Sequence, residues 1–290
     1  DCTFASDDEG ISVDDSSGTL IRDCIVSEST ENSFGFKLVD APSTTVTGCT
    51  IGNTWSSGIL VKKSDGSYID HCIVRETEIA VNLDNSSNVG IVNNTIANNQ
   101  SSGVFVDRDS SNATIKNNII VSNGWDYWEW GIKCQNNVPG LSISYNNVWN
   151  NRENYKNCSP GTGDISFDPL FVSNFGDVHL QSASPSIDAG DPSDPVGAEP
   201  EDNGDRINQG AYGGTSEAQT TSAQTMTLAQ AAANGLISLY CYTWDGVQYT
   251  AVDCLASASL PPWTGFFVCV YDDIDILFPP SSGQPAAPST

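Results

Sequence analysis

The chain has 290 residues, of which 11 are basic and 36 acidic, with a formal net charge of −25 and a pI near 4.1. That balance argues against nucleic acid and anionic membrane surfaces as partners, because both select clustered Lys and Arg. No window approaches 18 consecutive apolar residues, so neither a transmembrane helix nor membrane insertion is expected. No signal peptide is recognisable, and Asp1 in place of Met reads as a processed or trimmed start. Low Lys and Met with abundant Ser, Thr, Asn, Asp and Gly suit an extracellular or cell-surface protein.

A repeat occupies residues 1–160. One apolar column runs Ile21, Val46, Ile69, Ile91, Ile115 and Ile143, at nearly even intervals along the chain. Three positions on from each lies Cys24, Cys49, Cys72, Asn94, Asn118 and Asn146, and two further on lies Val26, Ile51, Val74, Ile96, Ile120 and Val148. Cys2 and Phe4 extend the last two columns upward. A second template reads Gly10-Ile11-Ser12-Val13, Gly35-Phe36-Lys37-Leu38, Gly58-Ile59-Leu60-Val61, Ala80-Val81-Asn82-Leu83, Gly103-Val104-Phe105-Val106 and Gly131-Ile132-Lys133-Cys134. Its period-2 alternation is that of a half-buried strand, and Asn, Ser, Asp and Gly clusters supply the turns. A single turn of this length cannot bury its own apolar face, whereas stacked turns can, with equivalent strands pairing in parallel. An inward Asn at a bend can hydrogen-bond backbone groups and its equivalents in neighbouring coils, and Cys replaces it in the upper coils as a small filler.

This register resembles the right-handed parallel β-helix, or pectate-lyase-like, superfamily. The resemblance implies an all-β fold, a right-handed solenoid over 1–160. It leaves activity open, since the superfamily includes lyases, hydrolases, epimerases, adhesins and tail fibres.

Residues 161–214 carry Asp168-Pro169-Leu170-Phe171, Ser184-Pro185-Ser186-Ile187-Asp188-Ala189-Gly190 and Ile207-Asn208-Gln209-Gly210-Ala211-Tyr212-Gly213-Gly214. They look like the closing segment of many secreted bacterial and archaeal β-helix proteins. The resemblance implies an irregular last coil and a loop-rich cap over the C-terminal end. Residues 215–226, rich in Ser, Thr, Gln and Ala, read as a linker. Strand candidates follow at Leu236–Tyr240, Gln248–Val252, Gly265–Tyr271 and Ile274–Phe278. With the Trp244-Asp245-Gly246 turn and the Gly265-Phe266-Phe267-Val268 run, residues 227–279 resemble the small β-sandwich-like domain at the C-terminus of many secreted surface proteins. That resemblance implies an accessory role. The tail, 280–290, is rich in Pro, Ser and Ala and is expected to be extended.

Outward positions of the second template bring Lys62, Asp84, Asp107 and Arg108 forward as catalytic candidates. A polysaccharide lyase needs a base for the C5 proton and a cation to neutralise the substrate carboxylate. The same residues also read as a solvated face of alternating charge. His71 and His179 lie far apart in sequence and read as surface or packing residues. Asp7-Asp8-Glu9, Asp14-Asp15, Glu199–Asp205 and Asp272-Asp273 are acidic clusters for which Ca²⁺ is the natural ion, and they equally read as solvated loops. No other cofactor is indicated.

Trp125, Tyr127, Trp128 and Trp130 cluster in the longest repeat and suit a glycan or a protein partner, or a loop packed on its own coil. Cys2, Cys24, Cys49 and Cys72 form a ladder at a spacing of about 4.8 Å, wider than a disulfide prefers, so free thiols are expected. Pairings between Cys134 and Cys158, or among Cys241, Cys254 and Cys269, stay open. Asn85, Asn93, Asn99, Asn112 and Asn157 start Asn-X-Ser/Thr glycosylation sequons.

Two functions remain at this point. One is an extracellular structural or adhesive solenoid, a filament or cell-surface subunit that associates head to tail through its uncovered first coil. The other is a carbohydrate-active enzyme, a polysaccharide lyase or glycoside hydrolase, or a glycan-binding module.

Overall fold

The computed structural model describes residues 2–5, 10–27, 33–125, 130–136, 138–173, 176–201, 203–220, 237–244, 249–253 and 265–270. The chain divides into two compact units, residues 1–222 and 223–290.

The first unit is a parallel β-solenoid with three faces. The first face stacks Ile11–Asp14, Phe36–Val39, the second halves of Thr50–Lys62 and Ile73–Asp84, Val104–Val106, Trp130–Cys134 and Glu153–Lys156. The second is a six-stranded sheet: Leu20–Arg22, Thr45–Thr47, Tyr68–Asp70, Gly90–Val92, Thr114–Lys116 and Ser142–Ser144. The third runs from Thr3–Ala5 through Ile25–Ser27, the first halves of the two long strands, Thr95–Ala97 and Ile119–Val121 to Asn147–Trp149.

The registers match the sequence columns. Ile21, Val46, Ile69, Ile91, Ile115 and Ile143 are direct neighbours on the second face. Val26, Ile51, Val74, Ile96, Ile120 and Val148 are direct neighbours on the third. These columns meet Phe36, Ile59, Val81, Val104 and Ile132 from the first face in one continuous core. The glycines that open the second template mark where the third and first faces crowd together. A Cβ on Gly35 would collide with the Gly58 carbonyl oxygen and a methyl of Ile51.

The corner between the second and third faces is built the same way in successive coils. One residue takes the left-handed conformation and the next turns inward. Asp23, His71, Asn93, Asn117 and Tyr145, with φ between 51° and 56°, precede Cys24, Cys72, Asn94, Asn118 and Asn146. The inward turn also aims a backbone N–H at the interior, and a side chain of the next coil receives it. The Cys72 N–H donates to Asn94 Oδ1 (2.9 Å), Asn94 N–H to Asn118 Oδ1 (2.9 Å), Asn118 N–H to Asn146 Oδ1 (3.0 Å) and Asn146 N–H to Asp164 Oδ1 (2.7 Å). In the upper coils sulfur takes the role, with Cys24 N–H donating to Cys49 Sγ at 3.4 Å. Cys24, Cys49 and Cys72 are buried free thiols, as their spacing predicts.

Two further ladders complete the triangle. Thr77, Asn99 and Asn123 donate in turn to Asn99, Asn123 and Asn151 Oδ1 at 3.0–3.1 Å. Ala41, Ser64 and Ser86 donate to Ser64, Ser86 and Ser110 Oγ at 3.0 Å. The sequence signal for them was present, as Asn and Ser recurring at the coil period, but polar loops hide it.

The segment after the solenoid does not sit only over its end. Ser144 and Asn147 make parallel bridges to Thr162 and Ile165, which finish the last coil. Residues 184–219 then run back along the flank between the second and third faces. Asn93 Nδ2 donates to Asn208 O (3.0 Å), Ala211 N–H to Thr95 Oγ1 (3.0 Å), Gly210 N–H to Asn117 O (2.8 Å), and His71 Nε2 lies 3.0 Å from Gly213 O. Lys116 bonds the Asp194 carboxylate at 2.7 Å. A second apolar cluster of Ala97, Ile119, Val121, Leu180 and Ile187 lies beneath. Within the stretch expected as a linker at 215–226, Ala218 is buried and Gln219 O accepts from Asn208 Nδ2, while residues 221–226 lie outside the described residues.

In the second unit the described residues form one antiparallel sheet, with Ile237–Trp244 central between Tyr249–Asp253 and Gly265–Val270. These match three of the four strand candidates. Ile274–Phe278, the Asp245-Gly246 turn and the 280–290 tail lie outside the described residues.

The ladders predict a specific fragility. Asn118→Leu adds apolar bulk but removes the acceptor of Asn94 N–H and the donor to Ile91 O, Lys116 O and Asn146 Oδ1. Chemical denaturation should show a loss of about 3 kcal/mol; a neutral or stabilising substitution would refute the ladder as a stabilising device.

Candidate functional site

Outward positions of the first face form a column, Ser12, Lys37, Leu60, Asn82, Phe105, Lys133 and Lys156. Its lower end is unusual for so acidic a chain. Lys133 Nζ stands 4.6 Å from the Trp130 ring centre and 5.4 Å from that of Phe105, and Lys156 Nζ stands 5.1 Å from Trp130. Two ammonium groups thus flank one indole, each held by the negative face of a ring. The indole is fixed by its own donor: Trp130 Nε1–H bonds Glu153 Oε2 at 2.8 Å, across the strand pair that joins them. Flat aromatic surface beside fixed positive charge suits a sugar ring that carries a carboxylate or sulfate.

Of the aromatic candidates, Trp125 is 58% exposed, with Nε1–H directed at Asn98 O (3.4 Å), and Trp130 lies in the cluster just described. Tyr127 and Trp128 lie outside the described residues. Sequence reading passed over Phe105 and Lys156 and took Lys133 only as one of the outward charges of the second template, because only the register brings side chains of successive coils into contact.

Lys62, Asp84 and Asp107 do stand one above another at the end of the first face: Lys62 pairs in register with Asp84, and Leu83 with Val106. Lys62 Nζ bonds Asp84 Oδ2 at 2.7 Å. That bond, reinforced by the Asp84 charge, raises the Lys62 pKa and holds it protonated, the wrong state for a proton-abstracting base. Asp107 keeps one buried oxygen without a partner, while Arg108 turns to its neighbour Asp109 at 3.8 Å in an exposed pair.

The histidines serve the flank. His71 bridges Asp70 (3.0 Å) and the Gly213 carbonyl. His179 stacks on Tyr212 at 3.8 Å, between Asp177 and Glu217. Beside them a small cleft lined by Thr95, Ile119, Leu180, Gln209 and Tyr212 has room for little more than a water molecule.

Among the described residues no group of three His, Cys, Asp or Glu side chains could hold a metal ion. Asp14 and Asp15 are exposed, and Asp7-Asp8-Glu9 and Asp272-Asp273 lie outside the described residues. Glu199 is not a solvated loop residue. It is buried, and its Oε1 accepts from Asn208 N–H (2.8 Å) and Gly214 N–H (2.7 Å).

The sequons divide by burial. Asn85, Asn112 and Asn157 are exposed. Asn93 and Asn99 are 2% and 0% exposed and committed to the flank contact and a corner ladder, which leaves no room for a glycan in the folded chain.

The description "Right handed beta helix region" matches residues 9–169, more than half of the chain. The chain belongs to the right-handed β-helix family. Two solved structures resemble this β-helix protein. One is the Azotobacter vinelandii mannuronan C-5 epimerase AlgE6 A-module, at 16% identity and a TM-score of 0.40, covering 58% of this chain and 57% of that one. The other is described as a glycoside hydrolase, at 12% identity and a TM-score of 0.40, covering 55% of this chain and 37% of that one. The chain therefore spans little more than half the length of the first and less of the second. No curated protein matches it.

One acid in the flank segment gives a pH test. Burial raises the Asp188 pKa to about 6, and the charge of Glu199 adds to it. A folded pKa above the unfolded one, about 3.9, means a stabilising contribution fully present below pH 4 and lost as pH rises through 6. Asp188→Asn, neutral at every pH, should raise the melting temperature by about 3–5 °C at pH 8 and hardly at all at pH 4. Equal shifts at both pH values would contradict the assignment.

Proposed function

We propose that this β-helix protein is an extracellular adhesive solenoid whose first face binds anionic glycans at Phe105, Trp130, Lys133 and Lys156. The observation that carries the reading is the pair of lysines fixed on one indole, on the outward side of a rigid sheet, in a chain of net charge −25. Against that background a local positive patch selects a polyanion that the rest of the surface repels. The rings supply stacking area, and the ammonium groups supply the charge-assisted bonds. A carbohydrate-active enzyme, lyase or hydrolase, is the second reading. The paired Lys62–Asp84 stack supports it less, because the lysine is held protonated.

Calorimetry with uronate oligosaccharides should give a dissociation constant that rises with salt. Trp130→Ala should weaken binding about tenfold or more, and Lys133→Gln combined with Lys156→Gln by a similar factor. Equal affinity for a neutral oligosaccharide of the same length would overturn the anionic reading, and turnover of the oligosaccharide would favour the enzyme.

The adhesive reading takes a second copy of this chain as a partner, stacked on the first coil. There Leu20 is 60% exposed on a strand that, among the described residues, is paired on one side only, as is Thr3–Ala5. Ca²⁺ would screen the repulsion between such acidic copies. Light scattering should show concentration-dependent growth that Ca²⁺ promotes and Leu20→Lys abolishes. A monomer under all these conditions would exclude the contact.

A further inference from the structure

The patch at the lower end of the first face has a counterpart near the upper end. Phe34-Gly35-Phe36-Lys37-Leu38 and Trp130-Gly131-Ile132-Lys133-Cys134 share one order: aromatic, glycine, apolar, lysine, apolar. The backbone places the two segments alike, since Gly10 N–H donates to Phe34 O at 3.1 Å and Gly103 N–H to Trp130 O at 3.0 Å, each from the preceding coil. The side chains also meet alike. Lys37 Nζ stands 5.9 Å from the Phe34 ring centre, as Lys133 Nζ stands 4.6 Å from that of Trp130. Both lysines belong to one outward column, joined in register through Leu60, Asn82 and Phe105. Four coil steps of about 4.8 Å put the two lysines about 19 Å apart along the solenoid axis.

We propose that Phe34 and Lys37 form a second anionic subsite, so that the ligand is a linear acidic glycan lying parallel to the solenoid axis and held at two acid groups four coils apart. The inference rests on the glycan reading of Trp130, Lys133 and Lys156. A sugar unit in an extended chain is about as long as one coil step, so successive sugars keep pace with successive coils. Between the subsites the column offers Leu60, Asn82 and Phe105, half-buried and uncharged. They supply apolar surface for ring faces and an amide for hydroxyl groups. The neighbouring outward column carries Lys62, Asp84 and Asp107 in register, and its lysine is engaged by Asp84 at 2.7 Å. The acid groups that decide binding are therefore those over the two lysine subsites.

The charge of the chain gives the second subsite its consequence. A polyanion longer than the lower patch runs onto a protein of net charge −25, where each further acid group meets repulsion. Added length then raises affinity only where another cation receives it. With Lys37 in place the two subsites act as linked modules, and the second contact forms at the high effective concentration set by the first. The face thereby measures length. A chain of three sugars engages the lower patch, and a chain of six reaches both subsites.

Calorimetry on the full chain with oligouronates of three and six sugars tests this. The longer ligand should bind about tenfold or more tightly than the shorter, with a steeper salt dependence. Lys37→Gln should remove that gain and leave the longer ligand no tighter than the shorter. Binding of the shorter ligand should be unchanged in that variant, because Lys37 lies beyond the screening distance from the lower patch. Phe34→Ala should act in the same direction. Leu60→Glu, which sets a carboxylate beneath the middle of the path, should weaken the longer ligand alone. Equal affinities for the two lengths, or a length advantage that survives Lys37→Gln, would overturn the second subsite and leave the lower patch standing. Failure of both lengths to bind would remove the glycan reading and this inference with it.

Discussion

Each bend of the solenoid turns a backbone N–H into an interior that water does not enter. An N–H left there without an acceptor costs as much as a lost hydrogen bond, and the cost recurs at every corner of every coil. The fold meets it with one device used three times: a side-chain oxygen from the coil below, carried by Asn at two corners and Ser at the third. The amides do more than accept. Asn118 also donates to Ile91 O and Lys116 O, so one residue satisfies groups on its own coil and on both neighbours. The apolar columns supply the larger share of burial, but they tolerate any aliphatic of the right size. The ladders do not, and they set the register.

Where the ladder changes from Asn to Cys, its polarity falls. Sulfur is a weaker acceptor, and the contact at Cys24 lengthens to 3.4 Å. The compensation lies in packing, since Cys49 and Cys72 are almost wholly buried in the core. Lower down the ladder ends on a carboxylate: Asp164 accepts from Asn146 and from the Tyr155 hydroxyl at 2.8 Å, which closes the column with charge-assisted bonds. The flank segment then covers the outward side of the lower third face. It turns Thr95, Ile119 and Asn147 from surface positions into buried ones. The aromatic and lysine patch lies on the first face. The patch depends on stacking in the same way as the ladders do. Phe105, Lys133 and Lys156 come from successive coils, and the glutamate that orients Trp130 sits on the last of them.

By itself the sequence determined the solenoid. A column that returns at so even an interval, with alternating neighbours, admits few other ways of burying its apolar side, so the stacking of Ile21, Val46, Ile69 and Ile91 could be read from spacing alone. The Asn94, Asn118 and Asn146 column was legible for the same reason. The Asn99 and Ser64 ladders repeat as faithfully, but polar residues at turns are expected anyway and carry little signal. Spacing also placed Lys62 and Asp84 together, yet not that they neutralise each other at 2.7 Å. Only the tertiary structure decided the rest. The path of residues 184–219 along the flank depends on side chains distant in sequence, such as Asn93 and Lys116, and no local pattern encodes it. Burial separated the exposed sequons from Asn93 and Asn99, and register gathered Phe105, Trp130, Lys133 and Lys156. The period says which residues share a face; the contacts across coils say which of them meet, and those contacts exist only once the chain has closed on itself.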